Sequence, residues 1–435
     1  MRIVICNKYY FMTGGPERYM FGVTRALEAQ GHEVIPFSVD AKQNEPTKYS
    51  RYFISSPVGR ENYGALLTQK KLGVGAKVKM AGRAIYSREA YRKLRRLIHD
   101  TQADLVYVLN FTSYMSPSII DAAHDAKIPV VVRLSSFDLL CAGNTFLRDG
   151  QICTDCLTHG KSRGIMHRCT GGSLSASVAR VGAMYYHDVI DVYSRVDAYV
   201  APARFMRQKL IEGGFPADRI HYIPTFVDTR YYQPRPQGTP DEGYVLYFGR
   251  LAPDKGVRVL VEAYGLLGPS APPLLLMGYA DPSEEQYLRQ RCTELGLTNV
   301  HFLPPREGDA MVSTIQRARC VVAPSVWFDN TPNTVYEALA CGRPVIASDI
   351  GSLKEQVVDE QTGLLFEMGN PKALASQIVR LLRDPSLADR LGANAVRTIQ
   401  RENSIDSHLR QLLALFGALT SSETAMSRPS STHQE

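Results

Sequence analysis

The sequence predicts an α/β protein built from two parallel-sheet units. Three observations carry this. Both halves alternate short apolar runs with helix-period segments, the pattern of a parallel sheet flanked by helices. The chain has 435 residues, more than one hydrophobic core ordinarily serves. Residues 234–243, PRPQGTPDEG, are polar and rich in Pro and Gly, as an interdomain linker is. We therefore divide the chain into 1–235 and 236–402, followed by a helix at 403–420 and a Ser/Thr-rich tail at 421–435 expected to be disordered.

Composition narrows the function. No apolar run approaches the roughly 20 residues that span a bilayer. The N-terminus, MRIVICNKYY, enters a strand directly and reads as no signal peptide. A cytoplasmic setting, peripheral on the inner membrane face at most, follows as an expectation. The formal charge of +7 suits an anionic ligand or membrane surface, and no nucleic-acid partner is expected.

The first unit opens with a buried strand, RIVIC (2–6), a loop containing Gly14-Gly15, a helical pattern through Leu27 and a second strand in GHEVIPFSV. Glycines in the first loop let backbone approach a ligand phosphate closely. Residues 70–98 carry ten Lys/Arg against Glu89 alone, with Ala84, Tyr91, Leu94 and Ile98 at helical spacing. That predicts a basic amphipathic helix suited to anionic lipid or a lipid-linked acceptor. Further strands fall at 103–110 and 128–136.

Next comes a Cys-rich stretch, Cys141-x11-Cys153-x2-Cys156-x12-Cys169. Four thiolates at this spacing can hold a structural zinc, with His159 and His167 as substitutes; buried thiols and a redox role stay open. A long helix is expected over 173–194, then strand and helix in AYVAPARFMRQKL. In the second unit, strands are expected in 244–248, 273–280, 300–305, 321–323, 344–347 and 363–370. Helices alternate with them, and 371–384 and 386–400 complete the unit.

The stretch 321–352 reads strand, loop, helix, strand. Asp329 lies in the loop and Glu337 on the new helix, so the two acids bracket a helix N-terminus. Free N–H groups there attract phosphate, and the carboxylates can hold sugar and ribose hydroxyls.

This stretch resembles the E-x7-E donor site of retaining glycosyltransferases of family four, which have the GT-B fold. Asp329 stands where the first Glu is usual, and Glu337 where the second is. YFGRLAPDKG (247–256) resembles the family's G-R-[LF]-x-x-x-K-G motif, PLLLMG its L-x-x-x-G strand, and GG-x-E-R its N-terminal glycine loop. The resemblance implies two Rossmann-like domains facing across a cleft, with the C-terminal helix crossing back to the first. It implies a sugar transferred from a UDP- or GDP-sugar to an acceptor hydroxyl, with retention and without a catalytic metal. The acceptor would be a glycan or lipid-linked saccharide of a surface polysaccharide pathway. Glu337 would hold the ribose and Asp329 the donor sugar. Arg250 and Lys255, with backbone N–H groups at Asn333, Thr334 and Val335, would take the diphosphate. Gly14, Gly15, Gly249 and Gly278 would border it, and Arg306 would lie near the base. Ser135 stands where the family usually has His, and Ser135 and Asp138 are the acceptor-side candidates. An epimerase on the same fold and a catalytically impaired, zinc-braced binding protein are the alternatives.

Overall fold

The computed structural model describes residues 1–61, 73–112, 114–236 and 241–421. Two six-stranded sheets, every pairing in them parallel, form its frame. The first contains β1 (Arg2–Asn7), β2 (Glu33–Phe37), β3 (Leu105–Asn110), β4 (Val130–Arg133), β5 (Ala198–Ala201) and β6 (Ile220–Tyr222), ordered β2-β1-β3-β4-β5-β6. The second contains β7 (Val245–Phe248), β8 (Leu274–Met277), β9 (Val300–Leu303), β10 (Cys320–Ala323), β11 (Val345–Ser348) and β12 (Gly363–Phe366), ordered β9-β8-β7-β10-β11-β12.

Both sheets are covered by helices on two faces, which is why the central strands are apolar at nearly every position. In β1, Val4 and Cys6 face a core shared with Ile35, Phe37, Leu94 and Leu97. Ile3 and Ile5 face the opposite core, with Tyr19, Met20, Val23 and Leu27 of the helix Gly15–Ala29. The second sheet repeats the alternation: Val245 and Tyr247 pack on one side, Leu246 and Phe248 on the other.

The C-terminal helix, Ile405–Thr420, joins the first domain's core through Leu409, Leu412 and Phe416, as expected of a helix that crosses back. Each such side chain contributes about 1.5–3 kcal/mol of burial, which docks the helix on the first domain.

The expected tail, from 422 on, lies outside the described residues, as do linker residues 237–240 and Lys70 and Lys71. The basic stretch is not one helix but two, Val74–Ile85 and Arg88–Thr101. Tyr86 is extended and Ser87 caps the second helix, its hydroxyl accepting from the Ala90 N–H. Leu94 and Ile98 are buried, so the predicted stripe faces the core. Arg83 is buried on Ser55 and Glu89, and Lys93 donates to the Phe53 carbonyl. Arg92, Arg95 and Arg96 face solvent.

Candidate functional site

In open α/β sheets, ligands bind beyond the carboxyl ends of the strands. Every expected binding residue outside the Cys-rich stretch follows such an end or begins the helix after it. Gly14 and Gly15 follow β1; Ser135 and Asp138 follow β4; Gly249, Arg250 and Lys255 follow β7. Gly278 follows β8, Arg306 follows β9, and Asp329 through Glu337 follow β10.

The loop after β10 is over-determined by its contacts. Asp329 is buried; its Oδ2 accepts from the Lys255 ammonium and, at 3.2 Å, from the Ser325 hydroxyl. Ser352 donates to the Asp329 carbonyl, and Gln356 donates to that of Pro332 at 3.2 Å. Thr331 has φ +47°, a left-handed backbone that a β-branched residue adopts only at a cost of order 1–3 kcal/mol. The other domain contributes too: Asn330 donates to the Leu134 carbonyl at 3.2 Å, and Arg133 holds Thr225, whose hydroxyl meets that of Thr331. The loop thus hands a fixed backbone to the helix Asn333–Ala340.

Glu337, on the second turn of that helix, is 2% exposed. Its Oε1 accepts from Nη1 of Arg18, which projects from the first domain's helix Gly15–Ala29. Its Oε2 makes no hydrogen bond of ordinary geometry, though the Tyr232 hydroxyl is close enough to stabilise its charge. Burial pushes the carboxyl's pKa up, against the pull of Arg18.

The glycine loop faces this helix start directly. A Cβ on Gly15 would lie 3.5 Å from Nδ2 of Asn333. The loop is pinned by Glu17, buried, which accepts from Asn7 at 3.1 Å and Thr13 at 2.5 Å. On the other side, Gly249 borders Thr334, and Gly278 has φ +159° with its virtual Cβ 1.7 Å from the Gly249 carbonyl oxygen. Gly256, after Lys255, is equally constrained: its virtual Cβ lies 1.8 Å from the Pro324 oxygen. Only glycine lets the β7 and β10 loops approach this closely.

Thus Gly15, Lys255, Gly249, Gly278, Asn333, Thr334, Asp329 and Glu337 belong to one constellation, with Gly14 and Val335 beside their partners in sequence. Two expected donor-side residues are held otherwise. Arg250 is exposed and pairs with Asp254 at 2.6 Å, and Arg306 is exposed and donates to Thr314 at 2.7 Å. On the acceptor side, Ser135 donates to the Leu109 carbonyl at 2.9 Å, and Asp138 accepts from Thr112 at 2.7 Å. Both line a small cavity with Asn110 and Arg133.

Arg18 is the principal residue whose role the sequence reading left unassigned; its signal was present, as the Arg of the GG-x-E-R loop. Arg133 was signalled by a charge ending the apolar strand VVVR. Asn330 gave no local signal, because its partner, the Leu134 carbonyl, lies in the other domain.

The cysteine stretch folds as a hairpin, Leu147–Arg148 with Gln151–Ile152, and two short helices. The Cys141 thiol lies within hydrogen-bonding reach of the Cys156 thiol, which lowers the Cys141 pKa. Cys169 feels the charge of both Cys141 and Cys153. Among the described residues, however, no three His, Cys, Asp or Glu side chains form a group that holds a metal ion. The zinc expected at Cys141, Cys153, Cys156 and Cys169 is therefore not matched by a formed ligand set. What the insertion does contribute is Phe146, which with Phe137 and Phe205 receives the ring of Phe328, the neighbour of Asp329.

Comparison with known proteins agrees with this geometry. Residues 13–231 match the family model described as Glycosyltransferase Family 4, and residues 232–398 that described as Glycosyl transferases group 1. Among curated proteins, a D-inositol 3-phosphate glycosyltransferase of Acidothermus cellulolyticus is 31% identical over 241 residues, covering 50% of this chain and 53% of that protein. Another from Salinispora tropica is 33% identical over 189 residues, covering 41% and 39%. The chain thus spans about half the length, or less, of these relatives. Among solved structures, sucrose-phosphate synthase of Thermosynechococcus elongatus superposes with a TM-score of 0.69 at 20% identity, covering 96% of this chain and 98% of that one. Anabaena HepE, crystallised with UDP and glucose, superposes at 0.66 and 18%, covering 96% and 100%. With a family model matched across its first half and the two-sheet frame matched over nearly its whole length, this chain belongs to glycosyltransferase family 4 and has the GT-B fold.

Proposed function

We propose that the protein transfers a sugar from a nucleotide sugar to an acceptor hydroxyl, with retention of anomeric configuration. One observation carries the reading. Two buried acids, Asp329 and Glu337, bracket the start of the helix Asn333–Ala340, and each is met by a cation, Lys255 or Arg18. A nucleotide sugar offers the complementary chemistry: ribose hydroxyls for Glu337, sugar hydroxyls for Asp329, and a diphosphate for the helix N-terminus and its cations. As the glycosidic bond breaks, negative charge develops on the diphosphate. Preorganised cations and N–H groups stabilise that charge more than the ground state, which lowers the barrier. In this reading they take the part a divalent metal plays elsewhere. The acceptor hydroxyl attacks from the face the diphosphate leaves, and a diphosphate oxygen receives its proton.

UDP and GDP are both candidate bases; a structural relative crystallised with UDP makes UDP the first to test. Trp327, the single tryptophan in the sequence, lies beside Lys255, the ammonium 5.3 Å from its ring, so its fluorescence reports on the cleft. Saturation with the correct nucleoside diphosphate at 100 times its Kd should stabilise the fold by about 2.7 kcal/mol. Glu337→Ala should abolish that thermal shift. No shift with UDP, GDP or their sugars in the wild type would sink the donor reading.

We propose a glycan or lipid-linked saccharide as acceptor, reached from an anionic membrane surface. Arg92, Arg95 and Arg96 form an exposed basic face on the helix Arg88–Thr101. No helix among the described residues is long and apolar enough to cross a membrane. Reversing these three charges should weaken binding to vesicles containing anionic lipid by tenfold or more, at about 1 kcal/mol per charge. Unchanged vesicle binding would refute peripheral attachment through this face.

A further inference from the structure

We propose that Arg18 is a donor-binding residue that bridges Glu337 and the nucleotide diphosphate across the cleft. The proposal rests on the donor reading above and assigns a role to a residue of the opposite domain.

The argument starts from the arrangement of nitrogens and oxygens. Arg18 spends one N–H, on Nη1, on Oε1 of Glu337. A guanidinium has five N–H donors in a rigid plane, so further donors remain for another acceptor. The side chain is 50% exposed, whereas that of Glu337 is 2% exposed, so the pair is buried at its acid end and open at its cation end. Glu337 Oε2 stays without an ordinary hydrogen bond in a buried position, where an unmet carboxylate oxygen is costly. A ribose hydroxyl on Oε2 would satisfy it without displacing Arg18 from Oε1.

The diphosphate begins one carbon beyond the ribose ring. A cation fixed on the acid that holds the ribose is therefore within reach of the α-phosphate. Gly15, three residues before Arg18 on the same helix, already abuts Asn333 at the start of the phosphate-facing helix. The other charged and phenolic groups near Arg18 include Glu307, Tyr231 and Tyr232, and among the described residues none of them forms a second ion pair with it. Because Arg18 comes from the first domain and Glu337 from the second, the bridge makes diphosphate binding depend on the two domains facing each other as they do here.

The test compares ligands with and without the diphosphate. Trp327 fluorescence is titrated with UDP, GDP, uridine and guanosine in the wild type, Arg18→Ala and Arg18→Lys. Arg18→Ala should weaken the binding of the preferred nucleoside diphosphate at least tenfold while changing the affinity of its nucleoside less than threefold. Arg18→Lys, which keeps the charge but loses the fork, should recover part of the loss. Equal loss for nucleoside and diphosphate would reduce Arg18 to a support for Glu337 and overturn the proposal, as would no loss for either. If the wild type binds none of the four, the donor reading itself fails, an outcome separate from the failure of Arg18.

Discussion

Replacing Lys255 by Ala should lower the turnover of sugar transfer by about 10²–10³-fold, or about 2.7–4 kcal/mol of barrier, the scale seen when one preorganised charge-stabilising donor is removed. Lys255 reaches Asp329 from the turn after β7, and Gly256 lets that turn press against Pro324. Its loss acts in two ways. It removes a cation from the proposed diphosphate site, and among the described residues it leaves the buried Asp329 carboxylate with the Ser325 hydroxyl at 3.2 Å. The second effect is one of stability, since a buried charge without its partner is destabilising. The two are separable. The double variant Lys255→Ala/Asp329→Asn removes both charges and should recover most of the lost melting temperature while leaving transfer slow. Steady-state rates and thermal melting of the three proteins measure this. If Lys255→Ala keeps wild-type turnover, Lys255 is no more than the partner of Asp329.

Stability should fall as pH drops from about 6.5 to 4, and His408 should account for about 3 kcal/mol of the fall. His408 sits fully buried on the C-terminal helix, its Nδ1 2.7 Å from the Pro224 carbonyl and its Nε2 2.8 Å from the Tyr19 hydroxyl. A carbonyl only accepts, so Nδ1 carries the proton and Nε2 accepts from Tyr19, whose hydroxyl is met in turn by that of Tyr107 at 2.7 Å. Protonation would force Nε2 to donate, with Arg133 stacked 3.8 Å from the Tyr19 ring centre adding repulsion. Burial above all lowers the His408 pKa from 6.5 to about 4. The folded-state pKa lies below the unfolded one, so the unfolded chain binds the proton first as pH falls. The stabilisation is fully present above about 6.5 and is lost progressively down to about 4, where the folded form also protonates. The figure of about 3 kcal/mol is that shift at 1.36 kcal/mol per pH unit. Denaturant midpoints across this range should be flatter by that amount in His408→Gln. An identical slope in the variant would clear His408 of the effect.

This histidine shows where sequence reading stops. The sequence marked 403–420 as a helix, but not that one polar position on it would meet Tyr19, 389 residues away in sequence. The same limit applied to the basic stretch. Its charge count suggested a single surface helix; the cap at Ser87 divided it, and burial assigned Arg83 and Lys93 to structural hydrogen bonds.

What the sequence determined by itself was everything encoded over a few residues. Alternation of apolar and polar runs gave the strands and helices. Gly249 and Gly278 marked strand ends, Lys255-Gly256 a helix start, and Asp329 and Glu337 the two flanks of another helix start. These are local because backbone sterics and helix periodicity act over a turn or two. Tertiary structure alone decided which charges meet. Arg18 and Glu337 are 319 residues apart and lie on different sheets, so their pairing exists only once both domains have folded and faced each other. The cysteines show the converse. Their spacing allowed a four-ligand metal site, but spacing fixes only how far the chain can reach, whereas metal binding requires donors to converge on one point. Convergence is a property of packing, and packing here places the free Cys141 thiol against that of Cys156, sets Cys169 near Cys141 and Cys153, and turns Phe146 of the insertion toward Phe328.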